Sequence, residues 1–347
     1  MKKWWLLALS SIIMVVMVAC SEESEDSTAT SDVESDAGSK EAVEMVKVKV
    51  GYMPNFAALN TVIAGVETGS FEENGIEVEL VEFSDGPTII AAMESGSIDF
   101  GYIGPGAHVL PIQGKADIIA FSQLGNADEV IGNTEKGVST LADLKGKKVA
   151  IATGTSSETI LQLALQEAGL TKDDVTLFDM DASAIVTAMI SGSVDAAATW
   201  SPNTNTIKTE LGSKAVMLAN NVRYAEQFPS IASWVTSPGY SEENKEVTVN
   251  FIKGLYKAMD YRVDNLEEVA KWAAAQMAVD EASVQAQTGD GDWLKTSEMI
   301  AMIEDGSMTK LYEQQQVDFI KAGRITDADK VDVSKYVLFD LMLEAAK

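Results

Sequence analysis

Ile89-Ile90-Ala91-Ala92-Met93-Glu94-Ser95-Gly96-Ser97-Ile98-Asp99 returns later in the chain as Ile185-Val186-Thr187-Ala188-Met189-Ile190-Ser191-Gly192-Ser193-Val194-Asp195. Seven of the eleven paired positions are identical, and three of the other four are small or apolar in both copies. Each copy reads as the end of a helix, a glycine stop and the start of a strand, since Gly adopts the left-handed closing conformation at no steric cost. A unit that returns in this form marks two similar lobes. The rival explanation is a widespread helix-stop motif that has occurred twice.

Around the first copy, residues 46–51 read as a strand, 57–68 as a helix stopped at Gly69, and 76–83 as a strand. Residues 88–95 follow as a helix, then 98–103 and 118–122 as strands. Around the second copy, Ser139 opens a capped helical turn that passes through Gly146 into a strand. There 157–167 is helical, 175–178 a strand, 182–191 a helix and 194–199 a strand. Near 215–218 the chain is expected to run back toward the first lobe. From Ser241 it turns helical, with Glu242 and Glu243 in the first turn, and these helices are expected to complete that lobe. Alternating strands and helices belong to parallel sheets of the α/β class. The expected division is 46–132 with 222–347 as lobe 1 and 133–221 as lobe 2, joined by two crossing hinge segments.

Ahead of the lobes, Met1-Lys2-Lys3 precedes an uncharged, largely apolar run from Trp4 to Ala19 that is short for a membrane span. It ends at Ala19-Cys20, and Cys20 is the sole cysteine. Residues 1–20 are therefore read as a lipoprotein signal peptide with Cys20 lipidated, although Met17 stands where Leu is usual. An ordinary signal peptide with an incidental cysteine is the rival. Residues 21–45 carry nine carboxylates and one lysine. That is too little apolar surface to offset the entropy of ordering, so a disordered acidic tether is expected. A net charge of −27 leaves no basic stripe for nucleic acid.

Further motifs carry a family likeness. Val48-Lys49-Val50-Gly51-Tyr52, Gly101-Tyr102-Ile103-Gly104, the run from Leu141 to Ala150, and Gly192 to Ala196 with Trp200-Ser201-Pro202 behind it appear in family order. Together they resemble the taurine, aliphatic-sulfonate and nitrate group of ABC-importer substrate-binding proteins. Leu124-Gly125-Asn126 and the run from Glu313 through Lys335-Tyr336 are most similar to taurine-binding members. The resemblance covers nearly all of 46–340. It implies a two-lobed α/β periplasmic-binding-protein fold, type II-like, with a small-molecule solute in the interlobe cleft. It also implies ABC permease subunits as partners, a monomer, no cofactor, and a site outside the cell membrane or in a periplasm. Related members bind pyrimidines, amines and other solutes, and a related fold serves as a pyrimidine-synthesis enzyme, so the motifs specify the family better than the ligand.

In open α/β sheets, ligands sit beyond the carboxyl ends of the strands. Five loops satisfy that rule: 52–57, 84–87, 104–108, 154–158, and Asp181 with 200–203. Their candidates are Tyr52, Asn55, Phe56, Asp85, Gly104, Pro105, Gly106, Thr155, Ser156, Ser157, Glu158, Asp181, Trp200 and Asn203. Asn126 joins them as a further amide and Trp234, by family position, as a further aromatic. Gly154 followed by three hydroxyl residues reads as an anion cradle at a positive helix end, against the plainer reading of an N-cap. The aromatics are candidates to wall the cleft or cover an ammonium group, against core packing. Asp85, Asp128, Glu158 and Asp181 are candidate partners for a cation, against a solvated rim.

None of the five loops holds Lys or Arg. An anion would therefore rest on N–H groups, hydroxyls and amides, while the acidic side chains welcome an ammonium. A taurine-like zwitterion suits both halves; a guanidinium or amine suits the acidic half alone and is the alternative, with nitrate beside it. No Gly-x-Ser-x-Gly elbow, Walker loop or His-Glu-x-x-His is present, and His108 is the only histidine, so neither catalysis nor a metal site is expected.

Overall fold

In the computed structural model, which describes residues 45–347, the chain begins with β1 (Val46–Tyr52), α1 (Phe56–Glu67), β2 (Ile76–Glu82), α2 (Gly86–Glu94) and β3 (Phe100–Ile103). It continues through α3 (Val109–Ile112), β4 (Asp117–Gly125), β5 (Asp128–Asn133), β6 (Lys148–Ile151), α4 (Ser156–Glu167) and β7 (Thr176–Asp179). Next come α5 (Ala182–Ile190), β8 (Ala196–Trp200), α6 (Asn203–Leu211), β9 (Ala215–Asn220) and β10 (Ile231–Thr236). The last part holds α7 (Tyr240–Glu243), α8 (Lys245–Asp264), α9 (Leu266–Met277), α10 (Glu281–Gln285), β11 (Gly291–Asp292), α11 (Thr296–Glu304), α12 (Ser307–Lys321) and α13 (Phe339–Ala345). Cys20, the expected signal segment and the expected acidic tether up to residue 44 lie outside the described residues. Among the described residues no helix is long and apolar enough to cross a membrane.

The strands form two sheets, ordered β11-β4-β10-β3-β1-β2 and β7-β6-β8-β5-β9. In the first, β1 pairs in parallel with β2 and β3, and β10 lies antiparallel between β3 and β4. In the second, β6 pairs in parallel with β7 and β8, and β5 lies antiparallel between β8 and β9. The two sheets therefore repeat one order of strands, and each takes its antiparallel member from a crossing segment. This is the α/β, two-lobed architecture of periplasmic binding proteins.

The repeat builds the same corner twice. Gly96 and Gly192 close α2 and α5 at φ 71° and 70°. Ser95 and Ser97 share a hydroxyl contact of 2.8 Å, and Ser191 and Ser193 one of 2.9 Å. Asp99 accepts the Lys49 N–H at 2.8 Å, and Asp195 accepts the Lys148 N–H at 2.9 Å, each pinning the neighbouring parallel strand. The helices also start alike: Asp85 caps Thr88 N–H at 2.8 Å and Asp181 caps Ala184 N–H at 2.9 Å.

Residues 215–218, expected to lead back to the first lobe, are instead part of β9, the edge strand of the second sheet, paired from Asn133↔Ala215 to Glu129↔Asn220. By sheet membership the chain changes sheet between Gly125 and Asp128, ahead of the expected boundary at 132/133, and again between Asn220 and Ile231. β5, β10 and β11 have no counterpart in the sequence reading. All six residues of β10 are buried, so it lacks the polar alternation that betrays a half-exposed strand. Behind the first sheet, α8 packs on α1, and Phe251 stacks on Phe100 with ring centroids 4.1 Å apart.

Candidate functional site

The carboxyl ends of both sets of parallel strands face one cavity of about 650 Å³, open solvent at its mouth included. Strand β1 delivers Met53 and Asn55 to it, α2 starts on it with Gly86 and Pro87, and β3 contributes Tyr102 and then Gly104 and Pro105. From the second sheet come Asp128 at the head of β5, Thr155 and Ser156 at the start of α4, Trp200 at the end of β8 and Ser201 just after it. Gln123 on β4, Ser230 and Ala232 at β10, and Gln287 and Asp290 before β11 add to the lining. Asn55 fixes the start of α1 by accepting the Ala58 N–H at 2.9 Å, and Gln287 accepts the Phe56 N–H at 3.0 Å.

Asp128 is 4% exposed. It accepts hydrogen bonds from the Ser156 hydroxyl and from Asn221 Nδ2, the latter at 2.9 Å. Burial pushes its carboxyl up to about 6; the two hydrogen bonds pull it back and the facing Asp290 pushes it further up. Burial also raises Asp290, against a hydrogen bond from the Ser201 hydroxyl. Tyr102, whose phenol is raised by burial, accepts a 2.6 Å hydrogen bond from Gln123 Nε2.

Six expected residues line this cavity: Asn55, Gly104, Pro105, Thr155, Ser156 and Trp200. Asp181 and Asn203 line an outer groove of about 850 Å³ that shares Met53, Asn55 and Trp200 with the cavity. Asp85 acts as a helix cap. Asn126 borders the site through its backbone N–H, which donates to the Asp290 carbonyl at 3.0 Å. Tyr52 turns its hydroxyl toward Glu82 at 3.3 Å. Phe56 and Trp234 are fully buried, one edge-on to Trp293 at 5.5 Å and the other edge-on to Tyr102 at 5.7 Å, so core packing holds them behind the wall. The Ser157 hydroxyl donates to the Ala198 carbonyl at 2.7 Å, tying α4 to its own sheet.

Glu158 lies in an ion-pair cluster rather than on a solvated rim. Its carboxylate meets Lys172 at 2.8 Å and Arg324 at 3.4 Å. Burial would raise this carboxyl, but Arg324, Lys172 and the Gly154 N–H together hold it below the ordinary glutamate value. Arg324 comes from the far end of the chain and also donates to Thr159 Oγ1 at 2.9 Å and to the Gly106 carbonyl at 3.2 Å. Gly106 itself has no room for a side chain: a Cβ there would stand 2.0 Å from the Thr155 carbonyl carbon. The two sheets' segments thus meet backbone to backbone beside the cavity.

The sequence reading left Met53, Tyr102, Gln123, Ser201, Ser230, Gln287 and Asp290 unassigned, and it weighed Asp128 as a cation partner against a solvated rim. Ser201 and Tyr102 stood inside the quoted family motifs. The Gly289-Asp290-Gly291-Asp292 run, an acidic turn before a strand, was a usable signal for Asp290.

Fold and cavity together define a two-lobed binding-protein scaffold with its pocket between the sheets. The chain belongs to the NMT1/THI5-like family, whose profile matches residues 54–269. It is 33% identical over 296 residues to a putative binding protein of Brucella abortus, covering 85% of this chain and 91% of that one. It is 26% identical over 275 residues to a putative aliphatic sulfonates-binding protein of Bacillus subtilis, covering 77% and 78% of the two chains. Among solved structures, the alkanesulfonate-binding protein of Xanthomonas axonopodis pv. citri, bound to MOPS, superposes with a TM-score of 0.66 at 21% identity over 85% of this chain and 99% of that chain.

Proposed function

We propose that this chain is the solute-binding component of an ABC importer. It works outside the cell membrane, tethered through lipid on Cys20, and presents a captured small molecule to permease subunits without altering it. The observation that carries this reading is the shared cavity: residues from both sheets, at the carboxyl ends of their strands, enclose one small-molecule volume. The lobe that holds the first sheet (up to Gly125 and again from Ile231) and the lobe that holds the second (Asp128 to Asn220) then hinge at the two crossings, and a solute touching both stabilises the shut form by its differential contacts.

For the solute, a sulfonate-type zwitterion such as taurine is favoured by the sulfonate-binding relatives. The reading of a guanidine, amine or other nitrogen compound is favoured by one specific observation, the pair Asp128 and Asp290 in a lining without Lys or Arg. Native mass spectrometry of the protein as purified tests the receptor role. A small solute that travels with the folded chain and is released unchanged on denaturation supports it; a chemically converted product contradicts it.

A further inference from the structure

The polar surface of the cavity is unbalanced in charge. Two lining side chains are carboxylates, Asp128 and Asp290, and no lining side chain is Lys or Arg. No ion pair within 4 Å among the described residues involves either of them. Lys208, the cation felt by Asp290, is itself bound to Glu129 at 2.7 Å.

A second, independent feature lies on the same wall. Gln123 is 1% exposed, and its Nε2 donates to the Tyr102 hydroxyl at 2.6 Å and to the Ala57 carbonyl at 3.3 Å. A carbonyl oxygen only accepts, so this contact fixes which end of the amide is nitrogen. The remaining atom, Gln123 Oε1, is buried without a hydrogen-bond partner. Buried acceptors in native proteins nearly always find a donor, and Gln123 belongs to the cavity wall.

Several of the groups that could hold an anion are meanwhile committed elsewhere. Thr155 Oγ1 donates to the Ala152 carbonyl and accepts the Ser157 N–H, and the Ser156 hydroxyl is given to Asp128. At the start of α2, Pro87 brings no N–H and Asp85 takes the N–H of Thr88.

We propose that the cavity captures its solute through a cationic, N–H-bearing nitrogen set between Asp128 and Asp290, with Gln123 Oε1 as a third acceptor. This rests on the receptor reading above and names the solute class for it. Trp200, Met53, Pro87 and Pro105 wall the remaining space and suit a compact apolar or planar body. A zwitterion fits through its ammonium end, whereas an anion that lacks nitrogen donors meets two carboxylates and an orphan acceptor.

The test is calorimetry at pH 7.5 on the solute-stripped protein with four probes: guanidinium, taurine, ethanesulfonate and nitrate. Guanidinium or taurine should bind, and ethanesulfonate, which is taurine without its amine, and nitrate should give no heat. Asp128→Asn should weaken the binding probe by roughly 10- to 100-fold, the loss of one charge-assisted hydrogen bond. Asp290→Asn, at a half-buried site that tolerates the change more easily, should weaken it in the same direction. Binding of ethanesulfonate or nitrate, silence from both nitrogen probes, or unchanged affinity in both variants overturns the proposal. A co-purified solute without nitrogen also overturns it while leaving the receptor role standing. A chain that carries no solute and responds to no probe contradicts both.

Discussion

Asp99 and Asp195 sit at the same place in the two lobes and do the same work, each accepting a backbone N–H from the adjacent parallel strand at 2.8 and 2.9 Å. Asp128 and Asp290 have no such relation. One heads the crossing strand β5 and the other lies in the C-terminal segment ahead of β11, yet both face the cavity. The repeated residues build scaffold and the unrepeated ones face the cavity. The two helix starts beside the cleft teach the same lesson. Asp85 and Asp181 cap α2 and α5 alike, but α2 begins on the inner cavity and α5 on the outer groove.

The largest expected effect comes from an unrepeated contact, Gly106 against the Thr155 backbone. Gly106→Ala places a methyl group where a Cβ has 2.0 Å. Overpacking of this kind costs about 1–3 kcal/mol, so affinity for the co-purified solute should fall by roughly 10- to 100-fold. Calorimetry measures it. Unchanged affinity would show that the two segments do not meet in the solute-bound protein.

The second effect is a pH response confined to the unrepeated carboxylates. Asp128 is pushed up to about 6 by burial, and the groups facing it are Ser156, Asn221 and Asp290, with Lys208 and Glu129 beside Asp290. A cationic solute needs Asp128 ionised, so its affinity should drop about fivefold between pH 6 and pH 5. The sign for the empty protein is opposite. A carboxyl raised above its unfolded value of 3.8 contributes stability that is present at low pH and lost as pH rises through about 6. Acidification should therefore strengthen the empty fold through this group while weakening the solute. Asp128→Asn should flatten both responses, and melting curves with calorimetry at the two pH values would expose a shared or absent trend.

The smallest effect compares the scaffold aspartates directly. Asp195→Ala removes the hydrogen bond to a strand N–H and Asp99→Ala removes its counterpart together with a 3.3 Å bond from the Tyr240 hydroxyl, and each should lower stability by at least about 0.5–1.5 kcal/mol in urea unfolding. Solute affinity should stay level in both. A loss of affinity on either substitution would break the division between scaffold and site.

The repeat made the two sheets legible because glycine stops and helix caps are local chemistry. The cap at Thr155 is legible from position alone, whereas Asp85 and Asp181, weighed as cation partners against a solvated rim, are caps as well; each of the five expected loops places at least one residue on the cavity. Which residue of a loop faces inward was another matter. Asn55 lines the cavity while its neighbour Phe56 packs behind the wall, a difference fixed by the helix phase of α1 and by Trp293 from far along the chain. Asp128 looked like a rim residue because its burial depends on Asn221 and Ser156, distant partners that no sequence period announces. β5 and β10 escaped for the same reason, being buried strands whose pairing is set only when the crossings form.

The central claim is that the cavity between the sheets is a trap that opens and shuts on a solute. Small-angle X-ray scattering tests it most directly, on the protein with its co-purified solute and again after the solute has been removed by unfolding and refolding. The account predicts a larger radius of gyration for the emptied protein and recovery of the compact curve when the solute is restored. Superimposable curves, with solute binding verified in the same samples, would contradict it.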